Sequence, residues 1–344
     1  MKLLRSKIDF EISEKGISII ENVAIGGIHQ YLLIQSENIN NPVLLILHGG
    51  PGLPIPGTSS RSRDYVIATN TKELVKHYTV VFWDQRGSGK TFNKQEIRDS
   101  LNIDQFVSDA NEVVQFLKIK FNKQKIYVAG YSWGTIIGLR LVDENPSDYY
   151  AYIGISQIIN WVQNDVLCLE WTLDKAKKHG NNKAIKELQQ CGNPPYIKSV
   201  KQWSTLRKWM GRYNSMVYSY QDVKHPGMKM AMSIILRSPD YSIIDIFNTI
   251  RGFQRSYTQT LIEDFAKIDY KGTIRKLEVP VFFIHGKKDV HIFGDLVEDY
   301  FNELEAPAGK QIFWLDKSSH MFHPEDTKEI ENILISIASQ NHIS

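Results

Sequence analysis

The stretch Gly130-Tyr131-Ser132-Trp133-Gly134 limits what this chain can fold into more than any other. A short apolar run, Lys125 to Ala129, leads into it, with Ile126, Val128 and Ala129 ready for burial. A helical run, Thr135 to Val142, leads out, carrying Ile136, Ile137, Leu139 and Leu141. A serine at the apex of a sharp strand-to-helix turn stands clear of both elements. Glycines two before and two after it relieve the crowding such a turn creates. The five-residue pattern is weak alone; the strand and helix that flank it give it weight. A serine hydroxyl is a poor nucleophile at neutral pH and needs a base to take its proton.

The flanking chain predicts the matching scaffold. Ile17 to Ile25 and His29 to Gln35 read as strands around a Gly26-Gly27 hairpin turn, and Asn38 to Asn41 as a polar loop. Val43 to Leu47 is a continuous apolar run, the kind buried on both faces of a parallel sheet. It delivers the chain to His48-Gly49-Gly50-Pro51-Gly52. Residues 53 to 77 form a long connection with a short helix near Asn70 to His77. Tyr78 to Trp83 is a strand ending in Asp84-Gln85-Arg86-Gly87-Ser88-Gly89, and 90 to 103 is polar loop. Asp104 to Phe121 is a helix, because Phe106, Val107, Ala110, Val113, Val114 and Leu117 recur at helical spacing. The helix after Ser132 ends at Asn145-Pro146, and Tyr150 to Ser156 is a further strand.

The alternation stops there. Residues 157 to 275 read as helices near 162–179, 182–190, 199–210, 226–237, 241–251 and 255–266, broken at Gly192-Asn193-Pro194-Pro195. Four of the seven tryptophans fall in this segment: Trp161, Trp171, Trp203 and Trp209. The sheet resumes at Val281 to Ile284, followed by a helix from Gly294 to Leu304. Gln311 to Leu315 is the last strand and Thr327 to Ala338 the closing helix. The predicted fold class is α/β, a mostly parallel central sheet with an inserted helical cap. Residues 1–156 and 276–344 form its core and residues 157–275 the cap.

The late segment supplies the partners for Ser132. A histidine suits the base, since its unperturbed pKa lies near neutrality. A buried carboxylate holds the imidazole in one tautomer and offsets its developing charge. Asp289 sits just past a buried strand, where a loop can aim it inward. Asp295 and Asp299 fall in the following helix and Asp316 too close to the last strand. His320 follows that strand by a short loop; His323, before Pro324, is its rival, and His285 is expected to support the Asp289 loop. The oxyanion of a tetrahedral intermediate needs fixed donors: the N–H of Trp133, after the nucleophile, and that of Gly50, where a glycine permits close approach. His48 is expected to stabilise this loop. The chain order Ser132, Asp289, His320 is that of α/β-hydrolase folds.

Composition excludes other classes. With 344 residues, 42% of them hydrophobic, the chain can build a large core. A formal charge of +3, with no long basic run, gives no sign of nucleic acid or a membrane surface as partner. Lys175 to Lys178 is read as a solvated helix face. No stretch approaches the length of a membrane span, and Met1 to Lys7 has charge but no apolar run after it, so a cytoplasmic protein is expected. Cys168 and Cys191 lack metal-site spacing and are expected as thiols, although two cysteines could pair. Gly87-Ser88-Gly89-Lys90-Thr91 imitates the end of a phosphate cradle without its beginning. No metal and no organic cofactor are expected. Asp84 and Arg86 are expected to pair and fix their loop.

Together, His48-Gly49-Gly50-Pro51-Gly52, Asp84-Gln85-Arg86-Gly87-Ser88-Gly89 and Gly130-Tyr131-Ser132-Trp133-Gly134-Thr135 resemble the proline iminopeptidase (prolyl aminopeptidase) family of serine α/β-hydrolases. The resemblance is strong over residues 43–145 and recurs over 279–325. It implies catalysis by Ser132, Asp289 and His320, an oxyanion hole from the Gly50 and Trp133 amides, and a helical cap closing over a small substrate. Typical members release N-terminal proline from short peptides; relatives hydrolyse other aminoacyl amides or esters. The chain departs from that pattern where the substrate is chosen. Cap glutamates hold the free amine in the proline-specific enzymes. Here Glu170-Trp171 reverses their Trp-Glu order, Glu263 lies further on, and Tyr131 replaces a common glycine. Glu170 and Glu263 are the candidates for a substrate ammonium, and Trp171, Trp203, Trp209 and Tyr213 for an apolar pocket, or for the cap's own core. A carboxylesterase or amidase acting on a neutral small molecule is the alternative. Oligomeric state is not legible.

Overall fold

The computed structural model describes residues 10–54, 71–93, 100–219, 224–225, 227 and 240–340. Eight strands form one sheet in the order β1-β2-β4-β3-β5-β6-β7-β8. β1 (Ile17–Ile25) and β2 (Ile28–Ser36) make the hairpin, and β2 runs antiparallel to β4 (Thr79–Asp84). From β4 through β3 (Val43–Leu47), β5 (Ile126–Tyr131), β6 (Tyr149–Ile155), β7 (Val281–Gly286) and β8 (Lys310–Leu315) every pairing is parallel. All residues of β3, β4, β5 and β7 are buried, as their unbroken apolar runs require.

Helices cover both faces. α1 (Thr71–His77) connects to β4, α2 (Ile103–Lys120) to β5, and α3 (Trp133–Glu144) to β6. On one face, Val43, Leu45 and Leu47 of β3 pack with Phe106, Val113 and Leu117 of α2 and Ile136 and Ile137 of α3. On the other, Leu44 and Ile46 pack with Leu74 and Val75 of α1 and with Ile330, Leu334 and Ile337 of the closing helix. The alternation of neighbours along β3 is the two-residue period of a strand.

Between β6 and β7 the described chain is helical: α4 (Trp161–Lys178), α5 (Asn182–Cys191), α6 (Val200–Arg212), α7 (Ile243–Ser256), α8 (Gln259–Phe265) and α9 (Tyr270–Thr273). Side-chain caps start most of them: Asn160, Asn181, Ser199 and Thr258 each accept a first-turn N–H, and Ser242 with Asp245 forms a reciprocal capping box. The helix expected near 226–237 lies almost wholly outside the described residues, as do 55–70 of the early connection and 94–99 of the polar loop. α10 (Gly294–Glu303) joins β7 to β8, and α11 (Pro324–Gln340) begins three residues earlier than Thr327. Cys168 and Cys191 are free thiols. Among the described residues, no helix is long and apolar enough to cross a membrane.

Candidate active site

The loops that matter all leave the carboxyl ends of parallel strands, where open α/β sheets bind their ligands. Ser132 follows β5 directly with φ 51° and ψ −116°, a conformation that non-glycine residues rarely adopt. Its neighbours enforce it. A Cβ on Gly130 would lie 2.6 Å from the Gly134 carbonyl oxygen, and one on Gly134 would lie 2.1 Å from that of Leu47. The turn can be this tight only with glycine at both positions. The Ser132 N–H continues the sheet ladder, donating to the Ile155 carbonyl at 2.9 Å.

Ser132 Oγ lies 3.0 Å from His320 Nε2, and His320 Nδ1 lies 2.8 Å from Asp289 Oδ2. The other carboxylate oxygen, Oδ1, accepts the N–H groups of His291 at 2.8 Å and Ile292 at 2.9 Å. Burial opposes charge on Asp289, yet His320, His285 and the Ile292 N–H together hold its carboxyl down at about 2. An anionic partner on Nδ1 leaves His320 Nε2 free to accept a proton from Ser132.

The His320 loop is braced from several sides. The Tyr131 hydroxyl donates to the His320 carbonyl at 2.7 Å, and its ring stacks on the imidazole with centroids 5.5 Å apart. Met321 N–H donates to Met216 O at 2.9 Å, and His225 Nε2 lies 2.7 Å from Met321 O. Lys288 N–H donates to Ser318 O at 3.0 Å, so the Asp289 and His320 loops are tied to each other.

The remaining candidates for these roles sit elsewhere. His323 binds the Glu325 N–H through Nδ1 at the start of α11. Asp316 pairs on the surface with Lys287 at 2.6 Å. His285, in β7, is fully buried with Nε2 3.1 Å from Ile292 O and 3.9 Å from Asp289 Oδ2, and so braces the Asp289 loop.

Gly50 lines the same cavity as Ser132 and has φ 132°. Trp133 opens α3, where a first-turn N–H has no acceptor within the helix. Its indole is buried and donates to Gln85 Oε1 at 2.9 Å. His48 is held neutral by burial, which lowers its pKa to about 4, and its Nδ1 donates to the Gly49 carbonyl at 2.7 Å. Arg86 does not pair with Asp84. It forms a two-bond fork on Asp109 of α2, at 2.8 and 2.9 Å, and donates to Gly26 O. Asp84 instead accepts the Tyr241 hydroxyl and the Lys90 N–H. The planar guanidinium finds a matching carboxylate on the helix rather than two residues back along its own turn.

Ser132 and His320 open into a cavity of about 630 Å³ roofed by α4, α6 and α7. Its wall is largely apolar: Ile158, Trp161, Trp203, Met210, Phe253 and Tyr257. One described carboxylate lines it, Asp165, which is 2% exposed and bonds Arg207 Nη2. The Arg207 guanidinium lies over Trp203 at 4.5 Å and Trp161 at 5.3 Å, so stacking and charge fix it together. A second cleft of about 650 Å³, beside Asn160, Asp269 and Arg275, holds none of Ser132, Asp289 or His320.

Of the substrate candidates from the sequence, Trp203 is on the cavity wall, whereas Glu170, Trp171, Trp209, Tyr213 and Glu263 are not. Glu170 is exposed on α4 and Trp171 beside it lies under Lys175. Glu263 is exposed on α8 and accepts from Gln259 at 2.8 Å. Trp209 is buried within the helices, its indole bonded to Glu187 at 2.8 Å. Helical phase decides this: Asp165 and Cys168 turn inward on α4, and Glu170 turns out. Sequence reasoning passed over Asp165, Arg207 and His291. His291 could have been noticed two residues after Asp289; the other two meet only through the packing of α4 on α6.

Residues 42–325 match the alpha/beta hydrolase fold family. The chain belongs to that family. It is similar to a probable aminopeptidase of Bacillus subtilis, YbaC, at 28% identity, covering 93% of this chain and 96% of that one. It is also similar to a proline iminopeptidase of Thermoplasma volcanium, at 23% identity with the same coverage. Among solved structures, a proline iminopeptidase-related protein from Thermus thermophilus superposes with a TM-score of 0.60 at 16% identity, covering 94% of this chain and 98% of that one. The chain is therefore an α/β-hydrolase whose relatives carry aminopeptidase names.

Proposed function

We propose that this α/β-hydrolase is a serine hydrolase that forms an acyl-enzyme on Ser132. In this reading it releases an N-terminal residue, proline first, from short peptides or aminoacyl amides. The carrying observation is the unbroken chain of hydrogen bonds from Ser132 Oγ through His320 to Asp289, opening into a largely apolar cavity. His320 takes the proton as Ser132 attacks the carbonyl carbon, and Asp289 offsets the imidazolium charge. The N–H groups of Gly50 and Trp133 hold the oxyanion, each worth about 3 kcal/mol in the transition state. His320 then protonates the departing amine, and water reverses the steps to release the acid. Residues 157–275 act as a cap that screens the acyl-enzyme from bulk water. The names of the relatives support a peptidase substrate, and the free thiols at Cys168 and Cys191 suit the cytoplasm.

One observation favours the second reading, an amidase or carboxylesterase for neutral substrates. The described carboxylate on the cavity wall is already neutralised by Arg207, so a substrate ammonium meets no spare negative charge there. Hydrolysis of a fluorogenic prolyl amide, its N-acetyl form and a butyrate ester separates the two, with Ser132→Ala as control. Cleavage of the free prolyl amide alone supports the aminopeptidase. Cleavage indifferent to the amine supports the second reading. Activity that survives in Ser132→Ala rejects both.

A further inference from the structure

His291 stands beside the proposed catalytic histidine and has no part in the chemistry so far. Its ring centroid lies 4.6 Å from that of His320, with the rings 43° apart. The residue lines the cavity with Ser132 and His320. Nδ1 is engaged by Ser215 Oγ at 3.2 Å, and Ser215 is fully buried in the turn after α6. Nε2 has no hydrogen-bond partner among the described residues. The backbone around it is firmly held: its N–H donates to Asp289, and its carbonyl accepts from Asn164 at 3.0 Å. The side chain is thus fixed in place with one ring nitrogen uncommitted beside the reacting centre.

We propose that His291 Nε2 is a contact for the leaving-group side of the substrate, the portion that departs with the proton delivered by His320. This rests on the serine-hydrolase reading above. The leaving atom must lie within reach of His320 Nε2 to be protonated, and His291 is the imidazole packed against that ring. Ser215 and Nδ1 share one hydrogen bond, so whichever donates there leaves Nε2 with the complementary role toward the substrate. Burial, with His320 adjacent, lowers the His291 pKa to about 3, so the ring stays neutral and adds no charge beside a forming His320 imidazolium. A half-buried imidazole with an open nitrogen in an apolar wall gains a hydrogen bond when a substrate with a polar leaving group enters, and none when that group is apolar.

The test compares His291→Ala and His291→Gln with the parent on substrates sharing one acyl group: a dipeptide amide, an anilide and a p-nitrophenyl ester. Labelling of Ser132 by a fluorophosphonate reports on the Ser132–His320–Asp289 chain independently of substrate. The expected result is a loss of about tenfold in kcat/KM on the dipeptide amide for His291→Ala, under threefold on the p-nitrophenyl ester, and partial rescue by glutamine, as for one lost hydrogen bond. The labelling rate stays at the parent value. Ser215→Ala, which frees the ring without removing it, gives a smaller loss in the same order. Equal losses on all three substrates, with slowed labelling, would mean that His291 only supports the Asp289 loop and would overturn the proposal. So would equal activity on all three. Failure of the parent to be labelled at Ser132 removes the serine-hydrolase reading itself, a different outcome.

Discussion

Ser132 is held in a left-handed conformation by two glycines that tolerate no Cβ and by a ladder bond to β6. Such strain costs about 1–3 kcal/mol and persists only where the surroundings over-determine it. Ser132→Ala and Asp289→Asn should each lower kcat by roughly four powers of ten on a cleaved substrate. Circular dichroism spectra matching the parent would show that the loss is chemical. Tyr131 carries a separate load. Its hydroxyl satisfies the His320 carbonyl in a buried place. Tyr131→Phe leaves that carbonyl unpaired, which should cost about 1–2 kcal/mol in urea denaturation and lower kcat more than it raises KM. The motif around Ser132 is legible residue by residue, because its steric demands are local. The role of Tyr131 is not, since His320 lies 189 residues further on.

At the scale of elements, the strands and most helices follow from apolar runs and their period. The parallel strands depart from the sequence reading by at most two residues at an end, as with β7, which runs on to Gly286. Inside the helical segment the period reveals helices but not which face meets the cavity. α4 turns Asp165 inward and Glu170 outward, and α6 brings Arg207 to Asp165 across 42 residues. That ion pair sets a test of substrate charge. Arg207→Gln removes the cation and leaves Asp165 to accept a substrate ammonium. The ratio of free-amine to N-acetylated amide hydrolysis should then rise by about tenfold, the effect of one added charge pair. A ratio unchanged from the parent would show that Asp165 does not face the substrate amine.

At the scale of the whole molecule, the helical segment is joined to the sheet by polar links around Asp84. Tyr241, just before α7, donates to that carboxylate, and Lys90 pairs with Asp245 at 2.8 Å. Burial outweighs these partners and raises the Asp84 pKa from 3.8 to about 7. Between those values the unfolded chain releases a proton that the folded chain keeps, so this group makes stability fall as pH rises. Asp84→Asn should remove that fall. Relative to the parent, the variant's unfolding free energy should climb from pH 4 to pH 7, by a difference on the order of 4 kcal/mol across the window, and its Tm with it. A parallel pair of Tm curves would mean that Asp84 ionises normally in the folded protein.

The sequence by itself determined the α/β-hydrolase architecture, the Ser132 turn, and the chain positions of Asp289 and His320. Each depends on short-range pattern: unbroken apolar runs, helical period, and glycines flanking one serine. Only the tertiary structure decided what surrounds them. Arg86 went to Asp109 rather than Asp84, and Glu170, Trp171, Trp209 and Glu263 stayed off the cavity wall while Asp165, Arg207 and His291 came to it. Helix packing sets the rotation of each face, and that rotation depends on residues far apart in the chain.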